Sequence, residues 1–240
     1  LGTESSNFYR GLPNILAGKE LRGLAQAIVR AKMEKAPVVF AIGGHVIKTC
    51  VSPYIIDLMK RGFITKVAMN GAAAIHDIEI ALFGETSQDV EEAVTTGQFG
   101  NNEVDDLFKQ TLEGRIQNGG EGVGWGLGMS LIMPHEAPHA DKSILAQSVL
   151  LQRIPSVHIA FGTDTVFNSF DEQDAERLGK GTFRDYNSTY CEICRMTNIP
   201  GVWCNIGSAQ LLPEVFLKAS AKAVKSGYNL SEITNANIDF

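Results

Sequence analysis

The 240-residue chain has no run of about 18 or more apolar residues, so it predicts no membrane-spanning helix. It also has no excess of basic residues. Lys and Arg number 21 against 27 Asp and Glu, a net charge of -6, which argues against a nucleic-acid-binding face. Cysteine is scarce: four in all. Cys50 and Cys204 stand alone, and Cys191 and Cys194 form a single C-x-x-C inside a helical pattern. That excludes a disulfide framework and leaves no second pair to complete a zinc site; no metal and a reducing, cytoplasmic setting are expected. No signal peptide is visible, and the chain starts at Leu1 rather than methionine, from which we expect a processed or trimmed terminus. Without internal repeats or low-complexity linkers, one α/β domain over residues 1–240 is the simplest expectation.

Two familiar fingerprints are missing as well. There is no G-x-G-x-x-G at the first strand-to-helix turn, where Gly43-Gly44 is the nearest thing, and no acidic residue ends the second strand to hold a ribose. No G-x-S-x-G elbow occurs. "HEAPH" (135–139) does match the zinc-protease pattern, which needs both histidines one turn apart on a helix. Pro138 lies between them and would cost such a helix about 3 kcal/mol, with Pro134 just ahead, so the match reads as a loop.

What is present is an alternation of short apolar runs and amphipathic stretches. Residues 19–34 carry Leu21, Leu24, Ile28 and Ala31 at helical spacing. "VVFAIGG" after Pro37 reads as a buried strand, and Ser52-Pro53 opens a helix that Gly62 ends. "KVAMNG" (66–71) is a second strand, followed by the helix "HDIEIALFG" closed by Gly84. Leu107, Phe108, Leu112 and Ile116 predict one amphipathic helix in an acidic stretch, where Glu91-Glu92 and Asp105-Asp106 read as solvated faces. Residues 141–153 form a helix capped by Asp141 or Ser143, 154–164 a third strand, and 165–181 a polar loop. The helix "TFRDYNSTYCEICRMTN" leads to a fourth strand at 201–208 and a last helix from Pro213-Glu214 to Gly227. "GVGWGLG" places glycine at every second position from 122 to 128, for close packing against a neighbour or against a ligand.

Strand, turn, helix, four times over, predicts a three-layer Rossmann-like α/β fold with a mostly parallel sheet. In such sheets ligands bind beyond the carboxyl ends of the strands. Those ends are Gly43-Gly44-His45, Asn70-Gly71-Ala72, Gly162-Thr163-Asp164 and Asn205-Gly207-Ser208, all small or polar. Glycine admits close backbone approach, and a helix start offers N–H groups to an anion. His76 and Asp77 follow the second turn and could do acid–base work, though Asp77 also suits a first helical turn. Asp164 could bind an amine or ribose hydroxyl, whereas His158, in mid-strand, reads as a core histidine.

The stretch "GGHVIKTCVSPYIIDLMKRGFITKVAMNGAAAIHDIEIAL" resembles the deoxyhypusine synthase-like group of NAD-binding α/β domains. "HDIEIALFG" is also similar to archaeal-type ornithine cyclodeaminase domains, and "HADKSILAQSVLLQRIPSVHIAFGTD" to the synthase segment before its substrate-binding turn. The likeness covers most of residues 36–215. It implies NAD as cofactor and a homodimer or homotetramer. From their positions at the strand ends, Gly43, Gly44, Asn70, Gly71, Ala72, Gly207 and Ser208 are expected to cradle the cofactor, Asp77 and Asp164 to bind ribose or substrate amine, and His76 or His45 to move protons. The synthase's imine-forming lysine falls at about Leu212, which cannot make an imine. The expectation is therefore an NAD-dependent enzyme removing a hydride reversibly from a small amine or amino-acid-like substrate. Deoxyhypusine synthase itself and a non-catalytic nucleotide-binding protein are the alternatives.

Overall fold

The computed structural model describes residues 2–86, 102–133 and 137–239. Glu91-Glu92 and residues 134–136 of the proline-flanked histidine motif lie outside them. Five strands are β1 (Val38–Ile42), β2 (Lys66–Asn70), β3 (Ser156–His158), β4 (Val202–Ile206) and β5 (Thr234–Ile238). Among the described residues they form one sheet in the order β3-β2-β1-β4-β5, and every pairing is parallel. The register sets Phe40 of β1 opposite Val67 of β2 and Cys204 of β4.

The helices, in chain order, are α1 (Gly2–Gly11), α2 (Leu16–Met33), α3 (Gly44–Lys48), α4 (Ser52–Lys60) and α5 (Gly71–Phe83). After these come α6 (Asn102–Thr111), α7 (Val123–Ile132), α8 (Ile144–Leu150), α9 (Glu172–Cys194) and α10 (Leu211–Lys225). A π-helical turn, Leu112–Ile116, prolongs α6. Alternation along each strand divides the core in two. Val38, Phe40 and Ile42 of β1, with Val67 and Met69 of β2, face a large apolar cluster that includes α4, α5, α7 and α8. Val39, Ala41, Ala68 and Trp203 face the other way, onto Ile193, Leu212, Ala219 and Ala223 of α9 and α10, and Trp203 stacks on Phe216 at 4.9 Å. Helices thus cover both faces of a parallel sheet: the three-layer Rossmann-like fold. No helix among the described residues is long and apolar enough to cross a membrane.

Local signals mark most boundaries. Gly62, Gly84 and Gly227 all take positive φ at helix ends, the conformation that favours glycine. Ser143, rather than Asp141, caps α8, its hydroxyl accepting from Ala146 N at 3.0 Å. Several expectations need correction. The third strand occupies only Ser156–His158 of the predicted 154–164. The expected loop 165–181 is instead a short 3-10 turn, Thr165–Ser169, and the first half of α9. That half opens on a capping box between Asp171 and Asp174 and has few buried apolar side chains, so its polar composition resembles a loop. Strand β5 was not expected at all. "TNANI" is mostly polar and half exposed at the sheet edge, so it lacks the apolar run by which buried strands are read.

The other edge strand, β3, is completed by a buried acid. Asp185 of α9 is 1% exposed, and its Oδ2 accepts from Val157 N at 2.9 Å and from Gly124 N at 2.8 Å. One side chain thereby satisfies a strand N–H and the first turn of α7. Burial dominates these hydrogen bonds and pushes the Asp185 pKa from 3.8 up to about 7. Between those values the folded chain holds a proton that the unfolded chain has released, so this group's contribution to stability falls as pH rises through the window. We expect the urea midpoint to decline from pH 5 to pH 7.5, by at most about 1.4 kcal/mol per pH unit from this residue. Asp185→Asn should flatten that slope; an unchanged slope would show that the proton is not held there.

Candidate active site at the carboxyl rim

Parallel pairing brings the four predicted turns to one rim of the sheet, and the glycines show how closely they meet. A Cβ built on Gly43, after β1, would fall 1.9 Å from the carbonyl oxygen of Gly207, after β4. Gly43 N also donates to Ile206 O at 2.9 Å. These two turns therefore touch backbone to backbone at the β1/β4 junction. A Cβ on Gly44 would lie 3.2 Å from both Ala72 Cβ and His76 Cδ2. One on Gly71 would lie 2.1 Å from Asp164 Oδ2. The turns after β1, β2, β3 and β4 are thus contiguous, linked Gly207 to Gly43, Gly44 to His76, and Gly71 to Asp164.

The titratable groups on this rim are His76 and Glu79 of α5 and Asp164. His76 Nδ1 lies 2.7 Å from Glu79 Oε2, an i,i+3 pair with both side chains largely buried. A carboxylate on Nδ1 orients the ring and leaves Nε2 as the second proton-carrying nitrogen. Asp164 is partly buried, which raises its pKa, while the Thr163 hydroxyl (3.2 Å) and the nearby His76 pull it back down. Glu79 was not among the expected site residues. The signal was present in "HDIE", since positions three apart share a helical face.

Three expected site residues do different work. Asp77 is fully buried and turned away from the rim. Its carboxylate accepts from Ser143 Oγ at 2.6 Å, Ile144 N at 2.7 Å and Leu145 N at 2.9 Å, so it caps α8 across the core. It sits among Ala73, Ala74, Ile78 and Ala81, the apolar stripe of α5, which is why it faces inward. Asp77 thus caps α8 from within the core, and burial pushes its pKa up to about 6. The Asn70 side chain accepts from Ala73 N at 2.9 Å and caps α5. The Ser208 hydroxyl is buried and accepts from Leu212 N at 3.3 Å at the start of α10. Gly71 and Ala72 begin α5, and His45 lies exposed on α3 beside the rim.

Asn205, one residue from the end of β4, is 3% exposed and donates through Nδ2 to Ser208 O and Asn237 Oδ1, while its Oδ1 is buried without a hydrogen-bond partner. The other motifs resolve into structure. Gly122, Gly124, Gly126 and Gly128 each lie where a Cβ would strike Asp185, the Pro155 carbonyl, Thr111 or Leu145, so the glycine repeat serves close packing of α7. His158 is buried against Ser156 and Thr189, and burial drives its pKa down to about 3. His139 follows a turn and lies against Gly84. Among the described residues no three His, Cys, Asp or Glu side chains gather as a metal set.

Two substitutions separate scaffold from site. Asp77→Ala strips three donors of their acceptor and should lower unfolding free energy by about 3 kcal/mol in urea titration, with ligand affinity retained in the folded fraction. Gly43→Ala forces a methyl into a backbone carbonyl and should cost about 1–3 kcal/mol while weakening any ligand seated at the β1/β4 junction. Equal stability of Gly43→Ala and the parent chain would contradict the contact with Gly207.

A family model for the Rossmann-fold C-terminal domain of ArgZ-like arginine dihydrolases matches residues 22–107. The structure is similar to apo ArgZ, an arginine dihydrolase from the ornithine–ammonia cycle in cyanobacteria, with 13% identity and a TM-score of 0.55 over 94% of this chain. It is similar to the same extent, TM-score 0.55 with 11% identity over 94% of the chain, to the AgrE C264A mutant solved with L-arginine. A candidate deoxyhypusine synthase from Entamoeba histolytica aligns over 82% of this chain and 73% of its own, with 10% identity and a TM-score of 0.51. No curated protein matches the chain. The chain spans 28% of the ArgZ chain and 32% of the AgrE chain. What it shares with all three at these identities is the Rossmann-like α/β fold.

Proposed function

We propose that this chain is the nucleotide-binding part of an NAD-dependent enzyme that acts on a small amine or basic amino acid, by reversible removal of a hydride from a carbon bearing nitrogen. The observation that carries this reading is the meeting of Gly43-Gly44, Gly71, Asp164 and Gly207 on one rim, with the His76–Glu79 pair against it. Open parallel sheets bind ligands at such a rim, where helices leave adjacent strands for opposite faces. The turns that carry Gly43, Gly44 and Gly207 would border the bound dinucleotide at this rim. When bound, the nicotinamide supplies the hydride acceptor.

The chain's own groups then manage charge and protons. Asp164 would hold the cationic nitrogen of the substrate. His76, oriented by Glu79, would take a proton from that nitrogen through Nε2. His45, exposed nearby, would relay protons to solvent. The ArgZ-like family match, and AgrE's binding of L-arginine, support a basic amino acid as the substrate class. Leu212 is fully buried at the start of α10 and forms no imine, which weighs against the aminobutyl transfer of deoxyhypusine synthase. A cytoplasmic homodimer or homotetramer completes the proposal.

Calorimetric titration with NAD and NADP tests the cofactor, and the absorbance of reduced nicotinamide with a panel of basic amino acids and polyamines tests the reaction. His76→Gln should lower turnover by about 10²–10⁴-fold with NAD affinity unchanged. Asp164→Asn should raise KM for the amine more than it lowers kcat. Failure of either nicotinamide dinucleotide to bind, or full turnover in both variants, would end this reading.

A further inference from the structure

A second site lies at the opposite edge of the sheet. A cavity of about 280 Å³ opens where β2 begins and just ahead of β3, beneath the C-terminal half of α9. Its polar lining includes Thr65, Lys66, Arg153, Ser188, Glu192 and Arg195. Lys66 is 3% exposed, a rare degree of burial for lysine. Its Nζ donates to Ile154 O at 2.8 Å and Ser188 Oγ at 2.9 Å, which uses two of its three donors. Arg153 contributes a buried Nε with no hydrogen-bond partner.

The charges do not balance. Lys66, Arg153 and Arg195 are three cations, and the cavity has one lining carboxylate, Glu192, which Arg195 binds at 2.8 Å and the Thr65 hydroxyl approaches at 3.4 Å. Asp185 lies near Lys66, but its Oδ2 is committed to Val157 N and Gly124 N. Burial lowers the Lys66 pKa to about 8, against the pull of Asp185 and Glu192. An enclosed cation with a spare donor, next to an arginine N–H without an acceptor, is the complement of a small anion.

We propose that this cavity binds a small oxyanion, a phosphate or compact carboxylate, held by the Lys66 ammonium and the Arg153 guanidinium. At about 280 Å³ the cavity has room for such an ion together with water. It lies at the amino end of β2 and the proposed dinucleotide rim at the carboxyl end, so the two sites are separate, with Lys66 at one and Asn70 at the other. The site would let anion binding stabilise the junction of β2, β3 and α9.

Calorimetry with inorganic phosphate tests this on the full chain. Saturable binding is expected, weakened about tenfold in Arg153→Gln, the loss of one charge-assisted hydrogen bond, and unchanged in the surface-cation variant Lys218→Gln. Arg153 is only half buried, so its variant should fold, with a melting curve as the check; Lys66→Met serves as the second variant. Malonate is the second arm: competition with phosphate identifies a general oxyanion pocket, and lack of competition a phosphate-selective one. The proposal is overturned if the parent chain shows no saturable phosphate binding, if Arg153→Gln binds as tightly as the parent, or if Lys218→Gln weakens binding as much as Arg153→Gln does.

Discussion

Parallel pairing of β1 with β2 on one side and β4 on the other is the constraint from which the rim follows. Because every strand runs the same way, each strand's carboxyl end opens onto the same rim, and every return connection must cross a face of the sheet. The chain leaves β1 for α4 and the larger apolar cluster, and leaves β4 for α10 and the smaller one. Connections that part in opposite directions leave a crevice over the β1/β4 junction. Its floor is the contact between the Gly43 and Gly207 backbones, a distance that no larger residue at position 43 could keep.

Two buried carboxylates hold the elements around that crevice in place. Asp77 reaches from α5 to the first turn of α8, and Asp185 from α9 to β3 and the start of α7. Each accepts backbone N–H groups that secondary structure leaves unpaired, so the cost of burying a carboxyl is offset by donors that would otherwise be orphaned. Asp77 also fixes the rotation of α5. With it turned inward, His76 and Glu79 stand on a different side of the helix, where they meet Gly44 and the rim. The inward turn of Asp77 thus decides which side of α5 carries the imidazole.

Much of the fold was legible because it rests on short-range rules. Branched apolar runs ending in glycine marked β1, β2 and β4, and left-handed glycines marked the ends of α4, α5 and α10. The misreadings have a common cause. Strand β5 and the first half of α9 lie at the surface, where burial imposes no apolar pattern and polar composition looks like loop. At the site, the neighbours of Asp77 were the informative residues: Ala73, Ala74, Ile78 and Ala81 already placed it on the buried stripe, and the spacing of His76 and Glu79 already paired them.

By itself the chain's order of residues determined most element types, several helix ends and the parallel three-layer architecture. Those depend on φ preferences, periodicity and hydrogen bonds that act within a few positions. The tertiary structure alone decided which distant groups became neighbours: Gly43 with Gly207, Gly71 with Asp164, Asp77 with Ser143, and Lys66 with Ser188. Such contacts depend on sheet order and on how helices pack across it, and no local spacing encodes a distance between residues so far apart along the chain.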